Sequence, residues 1–138
     1  MATESFVHRL NGRFDGMIRL SDVEKLGATM ALSDGWYLVD PESTLPRDTV
    51  TGSTASQHLQ QLVEEILREE RGVWTTMVYV QSMEDPHIVK VFHPRRAGCG
   101  CGPSMGVKPW WVMTRVPPEP VAAWQEAVCA PKKKFWFS

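Results

Sequence analysis

The sequence predicts an α+β fold: a single two-layer domain, an antiparallel or mixed sheet with two or three helices packed on one face. Three observations carry that expectation. Leu59, Leu62, Val63, Ile66 and Leu67 recur at i, i+3, i+4, i+7 and i+8, which gathers them on one side of a helix. Residues 73–82 (VWTTMVYVQS) and 87–92 (HIVKVF) are β-branched and aromatic runs joined by MEDP, the pattern of an antiparallel pair. A chain of 138 residues with 43% hydrophobic and 22% charged side chains suits one core, and is too apolar for a disordered chain.

Taken in order, residues 12–20 (GRFDGMIRL) read as a strand interrupted by Gly16. Ser21 and Glu24 have capping-box spacing: the hydroxyl accepts from a first-turn amide while the carboxylate reaches back. Gly27 is expected to end that helix after barely two turns, because glycine tolerates the left-handed conformation beyond a helix end. DGWYLVDP (34–41) reads as a short strand between turn residues, and 41–53 as a polar loop. Thr54 and Gln57 repeat the capping pattern at the start of the periodic helix, predicted over 54–71 and stopped by Gly72. Glu64 and Arg68 stand four apart on its wet side. PWWVMTRV (109–116) is a further strand, and Pro118 and Pro120 open a last helix that carries Val121, Trp124 and Val128 on one side. The expected order is β-α-β-α-β-β-β-α, with the domain over 1–131 and a basic, aromatic tail at 132–138. Asp15, Asp22, Asp34 and Asp40 have the spacing of turn and cap residues, not of an acid/base pair.

Charge divides the chain. Residues 1–70 carry a net −6 and residues 71–138 a net +5, and five of the six tryptophans lie in the basic half. That half also holds FHPRRAGCGCGP (92–103), where two of the three cysteines sit one residue apart between glycines. The first functional expectation is a non-enzymatic accessory or adaptor protein, since no catalytic triad or nucleophile elbow can be assembled. It would bind an acidic protein partner through Arg95, Arg96, Trp110, Trp111, Lys132, Lys133, Lys134 and Trp136, with the 93–106 loop as part of the surface. An overall pI of 6.4 is too low for a dedicated nucleic-acid binder. Without an apolar leader or an 18-residue apolar run, and with an odd number of cysteines, the chain reads as cytoplasmic, spanning no membrane. A homodimer is compatible with all of this.

The second expectation comes from coordination chemistry. Cys99, Cys101 and His93, with Cys129 and His87 as further candidates, could hold zinc or another thiophilic ion. If 87–92 is a strand, His87 and His93 lie on one face of it. The C-x-C pair is shorter than the C-x₂₋₄-C knuckle of structural zinc sites, and no second pair is present. The same thiols, beside two arginines, also suit a redox pair. Glycine amides together with Arg95 and Arg96 would suit an anion, although the Walker spacing is not met.

Overall fold

In chain order the elements are α1 (Phe6–Leu10), β1 (Asp15–Gly16), α2 (Leu20–Met30), β2 (Tyr37–Val39), α3 (Gly52–Glu69), β3 (Val78–Gln81), β4 (Ile88–Val91) and β5 (Trp111–Thr114). The computed structural model describes residues 5–69, 77–93 and 109–121. All five strands join one sheet in the order β1-β3-β4-β5-β2, and every pairing is antiparallel.

Period-2 alternation sorts the strand side chains onto two apolar faces. Val80, Val89 and Met113 are aligned across β3, β4 and β5 and face the layer formed by α2 and α3. Leu26, Leu59 and Ile66 descend onto them and are fully buried, each contributing about 1.5–3 kcal/mol of transfer free energy. The intervening residues Val39, Ile88 and Val112 point the other way, where Phe6 and Leu10 of α1 and then Val116 and Val121 cover them. The α+β expectation therefore holds, with one refinement: α2 and α3 share a face, while α1 serves the opposite one. The sequence reading did not anticipate α1, which is one short turn capped by Ser5, whose hydroxyl accepts from the His8 amide.

Gly27 does not stop α2, which runs on to Met30. The glycine lets two helices approach, since a Cβ placed there would stand 3.1 Å from the Ser56 hydroxyl oxygen of α3. Both helix starts also lie earlier than the capping patterns imply. Asp22 accepts from the Arg19 amide, and the Thr51 hydroxyl accepts from the Thr54 amide. Of the aspartates read as turn and cap residues, Asp34 accepts from the Gly52 amide at 2.8 Å and Asp40 from the Glu42 amide at 2.9 Å, whereas Asp15 lies in β1 opposite Val80.

The ends of α2 and α3 meet around Trp36, which is fully buried and donates its indole N–H to the carbonyls of Ser33 and Met30. Gly52 is obligatory at this junction, because a Cβ would overlap the same two carbonyl oxygens. The predicted strand at 12–20 shrinks to Asp15–Gly16, and of 73–82 the strand occupies Val78–Gln81. Residues 73–76 and the final helix beyond Val121 lie outside the described residues. Among the described residues no helix is long and apolar enough to cross a membrane.

Candidate functional site

Helix α3 carries two stripes of different character. Ser56, Leu59, Gln60, Val63, Glu64 and Leu67 turn toward α2 and solvent. His58, Leu62, Glu65 and Glu69 follow one another at i, i+4, i+7 and i+11, so they line a second side of the helix. That second stripe meets the end of the sheet where β4 finishes and β5 begins.

Ladder geometry continues past the strand ends there. The Phe92 amide donates to the Met77 carbonyl at 2.7 Å, and the Trp110 amide donates to the Val91 carbonyl at 2.8 Å. These bonds hold His93 and Trp110 next to each other beneath α3. Their rings meet edge to face, with centroids 4.7 Å apart. Two to three turns back along the stripe from Glu65 and Glu69, His58 meets Trp111 in the same manner at 4.5 Å.

His93 is the buried centre of this corner. Its side chain is 0% exposed, and Nε2 lies 3.0 Å from Glu69 Oε1, on a side chain 31% exposed. The approach is bent away from the ring N–H direction, so it is an electrostatic contact more than a linear hydrogen bond. Glu65 completes a cluster in which one ligand atom from each of Glu65, Glu69 and His93 lies within 4.8 Å of the others. Ligands of a tetrahedral ion at ~2.1 Å are roughly 3.4 Å apart, so an ion would draw these groups inward. Without an ion, the contact ties the end of α3 to the end of β4. His58 has no carboxylate contact among the described residues; its Nε2 is buried without a hydrogen-bond partner, and burial pushes its pKa below the ordinary histidine value.

The sequence-predicted residues fall into two groups. Trp110 and Trp111 are half-buried and both pack on the α2–α3 side. Neighbouring residues of a strand should face opposite ways, but Trp110 precedes the first residue of β5 and escapes the pleat. His87 and His93 flank β4 on either side. At ~3.3 Å per residue they stand about 20 Å apart, so they cannot share an ion. His87 instead lies 3.7 Å from Asp85, which also pairs with Arg115 at 2.9 Å. Arg95, Arg96, Cys99, Cys101, Cys129, Lys132, Lys133, Lys134 and Trp136 lie outside the described residues.

The sequence reading missed Glu65 and Glu69. Their i, i+4 spacing was legible, but their proximity to His93 is a tertiary fact. Compared with known proteins, the chain matches no family model, no curated protein and no solved structure. What the corner can do must be read from its own geometry.

Proposed function

We propose that the protein is a small metal-binding accessory protein that holds a zinc-class divalent ion between Glu65, Glu69 and His93. The observation that carries this reading is a fully buried imidazole with its Nε2 3.0 Å from one carboxylate and a second carboxylate in the same cluster. Imidazole nitrogen and carboxylate oxygen are the ordinary ligands of borderline divalent ions, and zinc takes four. The three side chains leave one position for a thiolate or water.

The chain supplies a thiolate within tether range. Cys99 and Cys101 follow His93 by six and eight residues, and the chain returns at Pro109. Six extended residues reach about 20 Å at most, so chain length alone permits Cys99 or Cys101 to fold back toward the cluster. A thiolate in the fourth position would make a closed, structural site, whereas water would leave it open.

The test is a Zn²⁺ titration of the full chain, followed by calorimetry and native mass spectrometry. One ion per chain is expected, with affinity falling as the pH drops because the ligands must lose their protons. The Glu65→Gln/Glu69→Gln variant should bind at least tenfold more weakly. If that variant binds normally and Cys99→Ser/Cys101→Ser does not, the ion belongs to the thiol pair alone. Wild-type protein that takes up no ion would end the reading.

A further inference from the structure

The solvent-facing side of the two long helices bears a groove of about 300 Å³ that the His93 corner does not use. Its floor is apolar, built by Leu20 and Val23 of α2 against Leu59, Val63 and Leu67 of α3. Small residues shape its other end, where Gly27 and Ala28 face Ser56. Gly27 brings the helices together, and Ala28 leaves the space beside it unfilled. Leu20–Ala28 and Ser56–Leu67 span about 12 to 16 Å at ~1.5 Å per residue, a length of two to three helical turns.

Two further features bear on what would lie there. Glu24 and Glu64 are the only ionisable side chains among the lining residues, and both are exposed. Ile18, two residues ahead of Leu20 in the chain, is 73% exposed. An apolar trough with carboxylates on both helices complements an apolar stripe flanked by cations.

We infer that the α2–α3 groove receives a short amphipathic helix flanked by lysine or arginine, presented by a protein partner. Leu20 and Leu67, the half-buried members of the floor, contact its apolar face, and Glu24 and Glu64 meet its cations. This inference is independent of the proposed ion, because the groove and the His93 corner occupy different sides of α3.

The probe is a fluorescein-labelled fourteen-residue peptide of leucine and lysine with leucines at helical spacing, read by anisotropy against the full chain. A matched peptide with glutamate in place of lysine is the control. Binding of the lysine peptide alone is expected. It should weaken at least tenfold in Glu24→Lys/Glu64→Lys, which reverses both charges, and in Ala28→Trp, which fills the groove from an exposed position. Circular dichroism melts establish that both variants fold. The inference is overturned if the peptide fails to bind, or if it binds both folded variants as it binds wild type. Concentration-dependent dimerisation in sedimentation, abolished by Ala28→Trp, would also overturn it by making a second copy the occupant.

Discussion

His93 and His87 flank the same strand and each lies within 4 Å of a carboxylate, yet they are physically different residues. His93 is fully buried and its partner Glu69 comes from a helix distant in sequence. His87 is 31% exposed, and its partner Asp85 is two residues away and 64% exposed. Water screens the second pair and competes for both of its members, so its contribution is small. Around the first pair the local dielectric is lower, and every electrostatic contact gains weight. Similar residue types thus give a partly exposed histidine–carboxylate contact at one end of β4 and a candidate ligand cluster at the other. Burial makes the difference, not composition.

Substitutions should expose that contrast, the largest effect first. His93→Ala leaves a cavity and removes the link between α3 and β4, so it should cost about 2–4 kcal/mol in urea unfolding. His87→Ala should cost less than about 1 kcal/mol. Equal costs would break the comparison. One step down, Glu69→Gln removes the charge while keeping the shape, and should cost about 1–2 kcal/mol. Asp85→Asn should stay within about 0.5 kcal/mol, and 1 M NaCl should erase that small cost while leaving most of the Glu69→Gln effect.

The last effect concerns His58, which is half-buried and, among the described residues, has no carboxylate contact. Burial disfavours its charged form, so the unfolded chain takes up this proton before the folded one does. The associated stability is fully present above about pH 6.5 and is lost as the pH falls from there through the lowered folded value. In His58→Leu, stability should therefore decline less steeply below pH 6.5. The difference in slope cannot exceed about 1.4 kcal/mol per pH unit for one proton. Identical slopes in the two proteins would show that His58 titrates in the folded state as it does in the unfolded chain.

Much of the fold was legible because its signals are local. The stripe from Leu59 to Leu67 needs only helical periodicity, and the β3–β4 hairpin needs only two apolar runs around a turn. The aspartates at 22, 34 and 40 cap or turn as their chemistry suggests. Gly27 was misread for an instructive reason. Glycine at a helix end and glycine at a helix crossing look alike in one dimension, and only Ser56 opposite distinguishes them. The strand predicted over 109–116 narrows to Trp111–Thr114, which leaves Trp110 ahead of the pleat. The site was legible only through His93, since nothing local couples it to Glu65 and Glu69.

The amino-acid sequence by itself determined the secondary elements that rest on periodicity, the apolar core they share and the division of charge between the halves. These depend on the spacing of side chains along one element, which the chain order records directly. The tertiary structure decided which face each helix covers, that α3 bears an acid-rimmed groove on one side and a histidine-carboxylate corner on another, and which of two similar histidines is buried. Those outcomes depend on distances between elements far apart in the chain, and packing alone sets such distances.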